Sequence, residues 1–225
     1  MQRTPERRAR KKAAGRRPGR PPGSNRDVTT TRILEAARDC FARRGYAGTT
    51  NKDIAQLAGV TAAAIYQYFD SKAALYMATV SASQARLVAA FRAAVADQTT
   101  TRGALRALVI ASGELHAKDP SLTGFLSALP VEIRREEEVA QAMAETPSEV
   151  VAIVVEIVER GVRAGEIVEG QAEHVVSMFL ACLMGLSLYA AAIDDGHFAS
   201  TVTAFVALMD GALIGRTRQR SRRVA

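Results

Sequence analysis

The stretch from Thr50 to Phe69 leaves this chain little choice of fold. Thr50 followed three residues later by Asp53 is a capping-box pattern that opens a short helix. Ile54, Leu57 and Ala58 are expected to face inward from it, and Gly59 is placed to end it. Val60 is an apolar residue in the turn, and Thr61 is placed to cap the next helix. That helix is expected over Ala62 to Phe69, with Ile65 and Phe69 at i, i+4 on one face. Two short helices joined by a glycine-containing turn make a helix-turn-helix, motif residues 50–69.

The flanks are helical too. From Thr29, Ile33, Leu34, Ala37 and Phe41 share a face, and Gly45 closes the segment. Downstream, Ser71 caps a fourth helix that runs through Ala73, Leu75, Tyr76 and Val80 to about Phe91.

Thr49-Thr50, Ile54-Ala55, Ala58-Gly59-Val60-Thr61, Ile65-Tyr66, Phe69 and Lys72 lie behind the segments Ile33 to Ala37 and Phe41 to Gly45. Together they resemble the DNA-binding domain of the tetracycline-repressor (TetR) family over about Asp27 to Leu87. The resemblance implies an all-helical homodimer. A three-helix head would bind operator DNA, and a helical C-terminal domain would dimerise and bind a small-molecule inducer. In that mechanism the ligand favours a dimer whose recognition helices no longer match half-sites about one helical turn apart.

In a helix-turn-helix the second helix enters the major groove with its N-terminal residues toward base edges, while phosphate contacts set its register. Motif position thus puts Ala62, Ala63, Tyr66 and Gln67 toward the groove. Thr50, Asn51, Thr61, Tyr66, Tyr68 and Lys72 resemble the family's phosphate contacts. Ala62-Ala63-Ala64 depart from the Lys, Gly, Pro or polar residues that members of the family often carry. They can touch thymine methyls but hydrogen-bond nothing, which leaves Gln67 to pair with adenine and gives DNA shape a share of the readout.

Charge is segregated to the ends. Residues 1–26 carry ten Lys/Arg and one Glu, net +9, against +7 for the whole chain. Residues 27–88 carry +2, residues 89–215 carry −9, and residues 216–225 form a tail with five arginines. A polyanionic partner is therefore implied for the N-terminal part. Residues 1–26 lack apolar periodicity and read as a disordered arm. In it Arg17-Pro18-Gly19-Arg20-Pro21 resembles an AT-hook core whose Arg17 and Arg20 would enter a narrow minor groove.

The region 88–215 reads as further helices without a strand. Leu105, Leu108, Val109 and Leu115 mark one helix, and Asp119-Pro120-Ser121 starts another containing Phe125, Leu126 and Leu129. Thr146, with Pro147 and Glu149, is read as the cap of a helix bearing Val150, Ile153, Val154, Ile157, Val158 and Gly161 on one stripe. Gly165 marks its end. Residues 175–193 carry no charge and are long enough to span a bilayer, yet contain Ser177, Gly185 and Ser187 and run into Asp194-Asp195, so a helix buried on all sides in a bundle is expected. Phe198, Val202, Phe205, Val206, Met209 and Leu213 pattern a last helix. The helix after Thr146 and the two C-terminal helices are expected to form a four-helix dimer interface.

Candidate lining for an apolar ligand is Phe125, Met143, Met178, Phe179, Cys182, Met184 and Tyr189, with His116 and His174 as polar anchors. Plain core packing is the competing reading for each. Cys40 and Cys182 lack metal-site or disulfide spacing and are expected to be reduced, buried fillers. With three histidines in no metal or triad spacing and no phosphate loop, neither metal, cofactor nor catalytic activity is expected. The basic N-terminus has no apolar signal core, so a cytoplasmic protein is expected. The expected function is a ligand-responsive regulator, a repressor released from its operator by a small molecule. The alternative is a sequence-tolerant architectural DNA-binding protein without a ligand.

Overall fold

A computed structural model describes residues 24–144, 148–190 and 192–212. Arg17, Arg20, Thr146, Pro147, Leu213 and the basic tail lie outside the described residues. Those described form ten helices and no strand. They are α1 (Ser24–Arg44), α2 (Asn51–Ala58), α3 (Ala62–Ile65), α4 (Lys72–Val95), α5 (Thr101–Lys118), α6 (Pro120–Arg135), α7 (Glu137–Met143), α8 (Glu149–Arg163), α9 (Ala172–Ala190) and α10 (Asp195–Met209).

The helix boundaries follow their caps. Thr50, Thr61, Ser71, Thr100, Asp119 and Asp194 each accept a backbone N–H from the first turn of α2, α3, α4, α5, α6 and α10 respectively. Gly45, Gly59 and Gly165 adopt φ of +69°, +65° and +72°, the left-handed conformation that glycine takes without a Cβ penalty. Four boundaries differ from the sequence reading. α1 starts five residues before Thr29, and α4 runs four residues past Phe91. α3 is a single turn, because Gln67 and Tyr68 bond back to Ala64 and Ile65 in the tighter i−3 pattern. The cap of α8 is Ser148, whose hydroxyl accepts from Val151, rather than Thr146.

Two cores hold the chain together. In the first, Ile33, Ala37 and Phe41 of α1, Ile54 and Ala58 of α2, Ile65 of α3 and Leu75, Tyr76 and Val80 of α4 meet Phe125 and Leu129 of α6 and Val139 of α7. The head is thus packed with side chains that come from far beyond its motif. Leu57 points outward at 53% exposure, against expectation. At about 100° per residue, Ile54, Ala55 and Ala58 define the inward face of α2 and Leu57 falls about 60° beyond its edge.

In the second core, α5 lies against α4, α8, α9 and α10. Ile153, Val154, Ile157 and Val158 meet Leu108, Val109, Phe179 and Leu183 there. The α8 stripe is consumed inside the protomer, which leaves that helix an outer face with Glu156, Glu159 and Arg160. α9 is long and apolar enough to cross a membrane. Phe179, Leu183, Leu186 and Ala190 face inward, while Met178, Met184, Leu188 and Tyr189 are 62%, 49%, 63% and 45% exposed. The expectation of a helix buried on all sides is therefore corrected: one face of α9 is uncovered in the single chain. Cys40 is buried as expected, but Cys182 is only half-buried.

Candidate nucleic-acid interface

The helix-turn-helix is a rigid platform with one open side. Asp53 closes the capping box, accepting from both the backbone N–H and the hydroxyl of Thr50, at 3.1 and 2.6 Å. Those bonds, with Arg44 at 3.1 Å, hold the Asp53 carboxyl below the ordinary carboxylate pKa. Arg32 donates to the Ala58 carbonyl at 3.0 Å and ties the end of α2 to α1. With Ile65 fully buried, Ala63, Tyr66 and Gln67 stand out to solvent, Tyr66 at 59%. Ala62 and Tyr68 are half-buried, and Thr61 is exposed while its side chain caps α3.

The expected phosphate contacts divide by what already holds them. The Thr50 hydroxyl gives its proton to Asp53, so it has none to offer an anion while the box is closed. Asn51 is half-buried, and its side-chain oxygen has no partner among the described residues. Lys72 opens α4 and holds its ammonium 4.2 Å from the centroid of the Tyr46 ring. Tyr46 in turn donates to Oε2 of Glu138 in α7.

Three residues at this face were not read from the sequence. Tyr46 sits directly after the helix-ending Gly45, and only its aromatic character marked it. Lys52 is an exposed cation at the second position of α2. Arg26 lies 5.3 Å from the ring centroid of Tyr68, which places the root of the basic arm beside the motif.

The expected ligand residues do not converge. Phe125 belongs to the first core, with ring centroids 5.3 Å from Tyr76 and 6.2 Å from Phe41, and Met143 packs on that core. Phe179 is buried in the second core. Met178 and Tyr189 lie on the uncovered face of α9. An inner cavity of about 120 Å³ lies between Leu87 and Phe91 of α4, Ser112 of α5, Thr123 and Leu126 of α6 and Leu183 and Met184 of α9. Met184 is thus the member of the expected set that reaches it. His174 is exposed, whereas His116 is buried and bonded to Thr123 at 2.7 Å.

A capped helix-turn-helix head on an all-helical body defines a class of DNA-binding regulators. Residues 33–79 match the family model for bacterial regulatory proteins of the tetR family. It is 40% identical over 108 residues to the HTH-type transcriptional activator FasR of Mycolicibacterium smegmatis, a match covering 47% of this chain and 48% of FasR. It is 34% identical over 91 residues to the HTH-type transcriptional repressor KstR2 of Rhodococcus jostii, covering 40% of this chain and 45% of KstR2. The chain thus spans about half the length of these curated relatives. The fold is shared with the transcriptional regulator FadR from Bacillus subtilis, solved in complex with stearoyl-CoA. The TM-score is 0.69 at 20% identity, over 82% of this chain and 99% of that one.

Proposed function

We propose that this protein is a homodimeric, ligand-responsive regulator that binds operator DNA sequence-specifically and leaves it when a small apolar molecule enters its helical body. The observation that carries the reading is the presentation of Ala63, Tyr66 and Gln67 to solvent from a turn whose caps and core fix its geometry. Gln67 offers a bidentate partner for adenine, Ala63 a surface for a thymine methyl, and Lys52 and Lys72 charge for the phosphates. The arm, rooted at Arg26, would place Arg17 and Arg20 in the adjoining minor groove.

Dimerisation uses the uncovered face of α9 with α10, since Met178, Met184, Leu188 and Tyr189 would otherwise remain a patch in water. The inner cavity, at about 120 Å³, is smaller than ordinary ligand pockets. A ligand binds only as α6 or α9 gives way, so it selects a body shape other than the one described. Pro130 lies inside α6, and the Leu126 carbonyl one turn earlier therefore lacks its helical donor, which softens the helix at the level of the cavity. Because α6 also carries Phe125 and Leu129 into the head core, its shift reaches the DNA-binding face. FasR is named an activator and KstR2 a repressor. The expected repression therefore rests on where the operator lies in a promoter as much as on the protein.

The test is binding of the purified full chain to its own upstream DNA and to a scrambled duplex at two salt concentrations. A preference of about a thousandfold that survives moderate salt supports a specific regulator. Equal binding to both, collapsing with salt, points instead to an architectural protein held by its arginines.

A further inference from the structure

We propose that the groove between α5 and α10 is a second ligand site, separate from the inner cavity, that takes a small apolar molecule bearing one hydrogen-bond donor, such as a phenol or an alcohol. The groove has a volume of about 360 Å³, three times that of the inner cavity and within the range of small-molecule pockets. Its walls are Ile110 and Ala117 of α5 and Phe198, Val202 and Val206 of α10. Of the two charged residues at its edge, Arg106 is paired with Asp210 at 3.5 Å and Glu114 is exposed. Gly113 sets how closely the helices approach, because a Cβ there would lie 3.1 Å from both Val202 methyls.

One polar group stands out in this apolar lining. His116 is 6% exposed and lines the groove, with its ring edge-on to Phe198 at 4.6 Å between centroids. Its Nδ1 lies 2.7 Å from Oγ1 of Thr123. The Thr123 hydroxyl donates its single proton to the Pro120 carbonyl at 3.2 Å, so toward His116 it accepts. With the Thr123 hydroxyl bonded to Pro120 in this way the proton sits on Nδ1 and Nε2 is the free acceptor; the opposite tautomer would require that hydroxyl to turn from Pro120 to His116. Among the described residues Nε2 has no hydrogen-bond partner. Nε2 is not sealed from solvent, and an acceptor in such apolar surroundings favours a ligand that brings an O–H. Thr123 also lines the inner cavity, so the His116–Thr123 bond is the partition between the two sites.

The experiment is ¹⁹F NMR titration of the full-length protein with 4-fluorophenol and with 4-fluoroanisole, which has the same ring and no donor. We expect saturable binding of the phenol, about tenfold weaker binding of the anisole, and a similar loss for the phenol with His116→Phe. Val202→Trp, at a half-buried position, fills the groove and abolishes binding without touching His116. Equal affinity for phenol and anisole overturns the proposal. So does phenol binding that survives Val202→Trp but is lost with Met184→Trp, which places the probe in the inner cavity. Absence of saturable binding to the full chain also overturns it, whether the groove is simply inert or covered by a second copy.

Discussion

The Tyr46 hydroxyl donates a 2.6 Å hydrogen bond to Oε2 of Glu138, 92 residues away, while the face of the same ring lies 4.2 Å from the Lys72 ammonium. Burial, with the Glu138 bond and charge, pushes the Tyr46 pKa well above its ordinary value, so the phenol stays protonated throughout the physiological range. Tyr46→Phe keeps the ring under Lys72 and removes only the hydrogen bond. It should cost about 1 kcal/mol in urea unfolding and leave DNA affinity nearly intact. Tyr46→Ala removes ring and core packing together and should cost about 3 kcal/mol and weaken DNA binding as well. Equal effects of the two variants would show that the ring contributes nothing.

Asp119 joins both halves of the molecule at one carboxylate. Oδ2 meets Arg38 of α1 at 3.1 Å and Arg86 of α4 at 2.8 Å, while Oδ1 caps α6 through the Leu122 N–H. Burial alone would raise its pKa, but the bonds from Ser121 and Arg86 and the Arg38 charge outweigh that and hold it below the ordinary carboxylate value. The resulting stability is complete above the unfolded-state pKa of about 4 and is lost as pH falls through the lower folded-state value. Asp119→Asn should cost about 1 to 3 kcal/mol near neutrality, because the buried Arg38 is left with only the Asp39 carboxylate at 4.0 Å and the Ser121 hydroxyl at 3.0 Å. Thermal unfolding from pH 7 to pH 3 should show the gap between the two proteins shrinking below about pH 4. A gap that stays constant over that range would sink the assignment.

The motif's punctuation can be tested one residue at a time. Thr50→Ala opens the capping box and should cost about 1 kcal/mol. At Gly59 a Cβ would meet nothing within 4 Å, so Gly59→Ala isolates the backbone strain of φ +65° and should cost roughly 1 kcal/mol. Calorimetric melting temperatures check both, and an unchanged value for Gly59→Ala would mean that the turn relaxes.

Gln67→Ala should relax operator preference at one base pair of each half-site by about 1 to 3 kcal/mol and leave the salt dependence unchanged. Binding to a panel of single-base operator variants reads both quantities. Unchanged preference at every position would remove Gln67 from the readout.

Leu188, 63% exposed on the open face of α9, should tolerate a charge in a monomer but not inside an interface. Leu188→Glu is expected to convert a dimer to a monomer in light scattering and to weaken operator binding by at least about a hundredfold, while helicity stays unchanged. A dimer that survives places the two-fold axis elsewhere.

The motif was readable because its signals act within three or four residues. Thr50, Gly59, Thr61 and Ser71 each satisfy or release backbone groups of their own turn. Leu57 was misplaced because a two-turn helix has too few residues to define its own inward direction. The Glu138 partner of Tyr46 was not visible, since nothing local to either residue announces a bond between them. The ligand residues scattered for a related reason. Met and Phe mark apolar surroundings, but whether those are core, cavity or open face is decided by which helices lie opposite. The run from Val175 to Ile193 shows this most plainly, because its composition is the same whether the cover is its own protomer or another.

The first core does not respect the boundary that the motif suggests. Phe41 and Tyr76 of the head close on Phe125, with Leu129 and Val139 beside them. A fragment ending at Leu87 would turn those aromatic faces to water, so it should aggregate rather than fold, and the intact chain should unfold its head and α6 in a single transition. The same packing governs chimeras. Grafting this head onto another body retargets that body to a new operator only if α6 and α7 travel with it, because a splice at residue 87 cuts one core into two unfinished halves.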